Sequence, residues 1–152
     1  MKVLITGSNG LLGQKLVYLL RNKENVQLIA TSRGECRIRE KSGYEYYPMD
    51  ITEKEQVQIA LEKFLPDVII NTAAMTNVDE CETKKEECWK QNVTSVQNLV
   101  DCISQQQTKN SLPRAYGEKP KTHLIHLSTD FIFDGENGPY KDVHDFARRL
   151  DY

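Results

Sequence analysis

The chain has 152 residues, 39 % hydrophobic and 28 % charged, which is length enough for one domain with a proper core and a composition ordinary for a soluble globular protein. Its formal charge of −2 leaves no electrostatic footprint for nucleic acid or an anionic membrane. No apolar stretch approaches the roughly 18 residues of a membrane span, and the short apolar run after Lys2 is no signal-peptide core, so a cytoplasmic location is expected.

The elements alternate along the chain. Lys2–Thr6 reads as a strand, followed by a turn carrying Gly7, Gly10 and Gly13 and then an amphipathic helix over 11–21. Strands follow over 26–31 and 45–49, then a helix over 53–64 with Thr52 as its N-cap. Pro66 and Asp67 punctuate before Val68–Asn71, an apolar run of the kind that both faces of a sheet bury. A helix over 85–106 carries Trp89, Val93, Val96 and Val100 on one side, and 122–127 is the last clear strand. This spacing predicts an α/β fold with a doubly wound parallel sheet and right-handed crossovers. The polar stretch 105–121 reads as an exposed surface loop.

Cys36, Cys81, Cys88 and Cys102 form no C-x-x-C pair and suggest no zinc ligand set, so no metal is expected. Cys81 and Cys88 on one continuous helix would lie about two turns apart, too far to bridge, and all the thiols are expected to be reduced. His123 and His126 sit at opposite-face positions of a strand and cannot chelate one metal. His126 reads as a packed or hydrogen-bonded strand residue. Asp130 and Asp134 lack the second feature that a glycosidase carboxylate pair needs. The charges around Glu80, Glu82, Lys84, Lys85, Glu86 and Glu87 read as a solvated face.

A strand, a glycine turn and a helix in that order suit a dinucleotide pyrophosphate, because the backbone must approach the phosphates and the helix N-terminus must aim free N–H groups at them. The second strand ends at Ser32 and Arg33, with no carboxylate until Glu35. An acidic residue there would accept from a ribose 2′-OH, whereas an arginine pairs with a 2′-phosphate, so NADP is favoured, with NAD as the other nucleotide. Asp50 and Ile51 follow the third strand, where they could edge an adenine ring. Ala73 and Ala74 follow the fourth, where small residues admit a flat cofactor.

These motifs resemble those of the extended short-chain dehydrogenase/reductases, in the run from Thr6 to Gly13. The stretches from Val68 to Asp79 and from Leu127 to Gly135, with Gly138, Pro139 and Tyr140, are similar to the dTDP-4-dehydrorhamnose reductase family. The resemblance implies a Rossmann fold and an NADP-dependent reductase of a 4-keto-6-deoxy sugar nucleotide. It implies that Gly10, Leu11 and Leu12 line the pyrophosphate turn, that Ala73, Ala74 and Met75 line the cofactor's middle, and that Asn92 supports them from a helix. It places the substrate-polarising hydroxyl on Thr129 and the proton-donating tyrosine on Tyr152.

The family's lysine beyond that tyrosine has no counterpart, and Phe146 to Asp151 replaces the Pro- and Asn-containing stretch that the family carries before it. The expectation is therefore the cofactor-binding part of such a reductase, with the sheet incomplete on its C-terminal side and the substrate-binding part absent. A sheet edge left open in this way favours association, with a homodimer among the outcomes. The alternative is a non-catalytic dinucleotide-binding regulatory protein of the same fold, like the regulatory subunit of methionine adenosyltransferase.

Overall fold

The computed structural model describes residues 1–109 and 122–127. Five strands, β1 (Lys2–Thr6), β2 (Gln27–Ser32), β3 (Glu45–Pro48), β4 (Val68–Asn71) and β5 (His123–His126), form one sheet in the order β3-β2-β1-β4-β5. Every neighbouring pair is parallel, and Leu4 of β1 sits in register with Ile29 of β2 and Ile69 of β4. The central strand is apolar at successive positions because both of its faces are covered.

The side chains alternate between two cores. Val3, Ile5, Leu28 and Ala30 pack with Val17 of α1 (Leu11–Leu20). Leu4, Ile29 and Ile69 face the opposite way, onto Val57, Ala60, Leu61 and Phe64 of α2 (Lys54–Phe64) and Leu99, Cys102 and Ile103 of α5 (Ser95–Lys109). This is the doubly wound arrangement, reached because a strand's side chains point alternately to opposite faces. The segment from Arg33 to Tyr44 folds back onto the α1 side, where Ile38 is fully buried. Helix α2 stops at Leu65, whose left-handed φ of 48° is followed at once by Pro66.

Several expectations need correction. Glu53, not Thr52, holds the N-cap position of α2 and makes no side-chain cap bond. The hydroxyl of Thr52 instead donates to Asp50 Oδ1 at 2.9 Å, a local turn that competes with capping. The helix expected over 85–106 is broken into α4 (Lys85–Trp89), a π-helical turn (Lys90–Thr94) and α5, and it is preceded by α3 (Val78–Thr83). The last helix reaches Lys109, so the first residues of the expected 105–121 loop are helical, and 110–121 lie outside the described residues. Trp89, Val93 and Val100 are exposed, whereas Ser95, Asn98, Leu99, Cys102 and Ile103 form the buried stripe. The π turn shifts the helical phase, so a periodicity read straight through it selects the wrong face.

Cys81 and Cys88 are joined in a disulfide, against the expectation of four reduced thiols. The reason is Lys84, whose φ of −118° and ψ of 55° end α3 before α4 begins. The chain turns there, bringing the two Cα atoms to 5.2 Å, within the range that a disulfide spans. Cys36 and Cys102 are free, and burial pushes the Cys102 thiol pKa up, which keeps it protonated.

Two outcomes are expected. Leu61→Ala, at a side chain 2 % exposed, should cost about 2–5 kcal/mol of unfolding free energy, whereas Ile59→Ala on the same helix, 55 % exposed, should stay within about 0.5 kcal/mol. Denaturant melts of the two variants measure this directly. Protein purified without reductant should show two titratable thiols after denaturation, from Cys36 and Cys102; four would refute the disulfide.

Candidate functional site

The chain leaves β1 towards β2 on one side and later returns to β4 on the other. The connections above the carboxyl ends of these two strands therefore diverge, and a crevice opens between them. It is a groove with a cavity volume of about 160 Å³. Gly7 and Gly10 line it from the turn after β1, and Ser32 and Arg33 from the end of β2. Met49, Asp50 and Ile51 contribute from the end of β3, Thr72, Ala73 and Ala74 from the end of β4, and Gln91 from the π turn.

The glycine turn is forced by contacts on two sides. Gly7 has a φ of +67°, and a Cβ there would stand 2.6 Å from the Ala73 nitrogen. A Cβ on Gly13 would run into the Gly7 carbonyl oxygen and lie 2.7 Å from Ser8 Cα. The turn thus places the start of α1 directly over the strand end. Gly10 is the N-cap of α1 and offers no side-chain cap, and no acidic residue stands in the first turn. The first N–H groups of the helix and the positive end of its dipole are left for an external anion. Leu11 and Leu12, 82 % and 49 % exposed, flank that end. The buried hydroxyl of Ser8 in the same turn finds no hydrogen-bond partner among the described residues.

Side-chain amides hold the loops that wall the groove. Asn71, almost fully buried at the end of β4, bonds the Thr6 hydroxyl and accepts from the Ala73 N–H at 3.2 Å. Its amide nitrogen meets His126 Nδ1 at 3.0 Å, so His126 is a hydrogen-bonded strand residue, as expected. The Thr72 hydroxyl donates to the Thr6 carbonyl at 2.6 Å. Asn92 grips the Met75 backbone twice, accepting from its N–H at 2.7 Å and donating to its carbonyl at 3.0 Å. Asn98 donates to the carbonyls of Ile51 and Thr52, both at 3.1 Å, and Gln56 accepts from the Asp50 N–H at 2.9 Å.

At the other end of the groove, the Tyr46 hydroxyl lies 2.8 Å from the Gly34 carbonyl and 3.2 Å from that of Ser32. Burial pushes the Tyr46 pKa up, so the phenol stays a neutral donor. Arg33 between those carbonyls is exposed, and its guanidinium has no partner among the described residues.

Of the sequence-predicted cofactor residues, Gly7, Gly10, Ser32, Arg33, Asp50, Ile51, Ala73 and Ala74 meet in the groove wall. Gly13 lies beneath the turn, Leu11 and Leu12 stand at its rim, and Met75 is held just outside by Asn92. Thr129 and Tyr152 lie outside the described residues. Sequence reasoning missed Gln91, Asn98 and Tyr46. Gln91 and Asn98 were hidden by reading the helix as unbroken; for Tyr46 the only signal is a polar-tipped aromatic on a strand beside the groove. Gly13→Ala is expected to destabilise the fold by about 1–3 kcal/mol, because only backbone could give way. A thermal melt measures it, and an unchanged melting temperature would show that the turn has slack.

The family model described as the RmlD substrate binding domain matches residues 1–147. The dTDP-4-dehydrorhamnose reductase of Aggregatibacter actinomycetemcomitans is 31 % identical over 143 residues, which are 93 % of this chain and 40 % of that protein. The crystal structure of a hypothetical dTDP-4-dehydrorhamnose reductase from Sulfolobus tokodaii is 34 % identical with a TM-score of 0.70, over 93 % of this chain and 44 % of that one. That of a dTDP-4-dehydrorhamnose reductase from Clostridium acetobutylicum is 30 % identical with a TM-score of 0.67, covering 91 % and 39 %. The chain therefore spans about two fifths of the length of the relatives it matches. With nearly all of its length matched and with the five-stranded parallel sheet in common, this chain belongs to the RmlD substrate binding domain family.

Proposed function

We propose that the groove holds a nicotinamide dinucleotide, NADP in preference to NAD, and that the chain is the cofactor-binding part of a reductase acting on a nucleotide-linked 4-keto-6-deoxy sugar. The observation that carries this reading is the cradle at the strand-order reversal: a turn with no room for a Cβ at Gly7 or Gly13, beneath a helix start that no side chain caps. The glycines let the turn pack against the β4 loop and beneath α1, and the helix start so placed is an anion site suited to a pyrophosphate.

In this reading the N–H groups at the start of α1 take the pyrophosphate. Arg33 and Ser32 take the 2′-phosphate of the adenosine ribose, because a guanidinium with no partner among the described residues, at the groove edge, offers two parallel donors to a phosphate. Asp50 and Ile51 edge the adenine, and Ala73, Ala74 and Met75 lie along the middle of the cofactor. Asn92, by holding both polar groups of the Met75 backbone, fixes that wall. The bound nicotinamide supplies a hydride. By the family resemblance, Thr129 hydrogen-bonds the sugar's reacting oxygen and Tyr152 gives it a proton. That relatives of about 30 % identity are dTDP-4-dehydrorhamnose reductases supports the nucleotide-sugar substrate. A role in nucleotide-sugar reduction implies a cytoplasmic location; no described helix is long and apolar enough to cross a membrane.

Titration of the chain with NADPH and with NADH, followed by nicotinamide fluorescence, tests the reading. Saturable binding of both, tighter for NADPH, is expected. Absence of saturable binding by both would remove the dinucleotide assignment, and tighter NADH binding would remove the preference. Arg33→Ala should weaken NADPH about 5- to 10-fold and leave NADH within about 2-fold, as expected for loss of an exposed charge-assisted contact.

A further inference from the structure

We infer that Tyr46, with Asn9, is a positioning residue for nucleotide specificity: its hydroxyl holds the two carbonyls flanking Arg33 and so sets where that guanidinium meets a ribose phosphate. This rests on the proposed NADP reading and goes one step past it, to what aims the arginine.

Arg33 stands at the exposed start of a segment whose packing anchor is Ile38, five residues further on. Its neighbour Gly34 has a φ of +68°, and a Cβ built there meets nothing within 4 Å. The Ser32 carbonyl before Arg33 accepts from the Met49 N–H at 3.0 Å, and beyond that point two side chains hold the segment by hydrogen bonds. The Tyr46 hydroxyl, on β3, reaches the Gly34 carbonyl at 2.8 Å and the Ser32 carbonyl at 3.2 Å, the residues on either side of Arg33. A phenol has one proton, so the two carbonyls share it, the nearer one taking the larger part.

Asn9 grips the same segment from the glycine turn. Its amide nitrogen donates to the Glu35 carbonyl at 2.9 Å, and its oxygen accepts from the Arg37 N–H at 2.8 Å. The same nitrogen lies 3.5 Å from the Tyr46 hydroxyl, which ties the two anchors together. Asn9 sits between Gly7 and Gly10, so it joins the turn beneath the proposed pyrophosphate subsite to the loop that carries Arg33. The separation of the two anion-binding points is thereby set by side-chain amide and phenol bonds. A dinucleotide without the 2′-phosphate has no use for that setting.

The test uses the full 152-residue chain and the isosteric variant Tyr46→Phe, which deletes the hydroxyl and keeps the ring. Dissociation constants for NADPH and NADH are measured, together with those for adenosine 2′,5′-bisphosphate and 5′-ADP as probes of the adenosine end. Tyr46→Phe should weaken NADPH and the 2′,5′-bisphosphate about 3- to 10-fold, with NADH and 5′-ADP within about 2-fold. Asn9→Ala should shift the same ratio in the same direction. In an Arg33→Ala background, Tyr46→Phe should leave the ratio unchanged, because nothing remains to be aimed. A general loosening of the fold would weaken all four ligands together, and that result overturns the inference. An unchanged ratio in Tyr46→Phe, beside an Arg33→Ala variant that has lost its preference, overturns it while sparing the NADP reading. An Arg33→Ala variant with the wild-type ratio removes both.

Discussion

The approach of the glycine turn to the start of the β4 loop is the constraint on which the groove depends. Gly7 stands so close to Ala73 that a Cβ would touch its backbone nitrogen at 2.6 Å. The Thr72 hydroxyl on the Thr6 carbonyl, and the bond between Thr6 and Asn71, clamp the two strand ends together from below. Both walls of the crevice rise from this seam. The turn cannot lift without losing buried hydrogen bonds, and buried polar groups left unpaired cost more than the bonds are worth when made.

From that seam the other walls are fixed by amides reaching across elements. Asn98 on α5 holds the carbonyls of Ile51 and Thr52, and Asn92 on the π turn holds both polar groups of Met75. Each asparagine satisfies backbone groups in a loop that no neighbouring strand pairs, so each trims the freedom of a segment facing the groove. The π turn has a part in this. Its extra residue per turn re-phases the helix, so that Asn92 faces Met75 while Asn98 faces the loop after β3. Trp89 and Val93 stand outside, on the surface.

Much of this was legible in the sequence. The parallel sheet follows from apolar runs such as Val68–Asn71 alternating with amphipathic helices, and the two-sided core follows from the strand period. The groove residues after each strand were legible by the same logic, since the carboxyl ends of parallel strands meet at a strand-order reversal. What escaped was anything set by local helix geometry. The break at Lys84 and the π turn cannot be read from a helical period of apolar residues, because both are changes in that period. The Cys81–Cys88 bridge is hidden for the same reason, since on a continuous helix the two thiols could not meet.

By itself, then, the sequence determined the kind of fold, the family, and which strand ends carry the small and charged residues. These depend on patterning and on short motifs, which are local properties of the chain. Only the tertiary structure decided that Gly7 and Gly13 tolerate no side chain, that Asn92 and Asn98 face two different loops, and that Tyr46 from β3 reaches the carbonyls around Arg33. Those facts depend on distances between residues far apart in the chain. Packing sets such distances, and no local pattern encodes them.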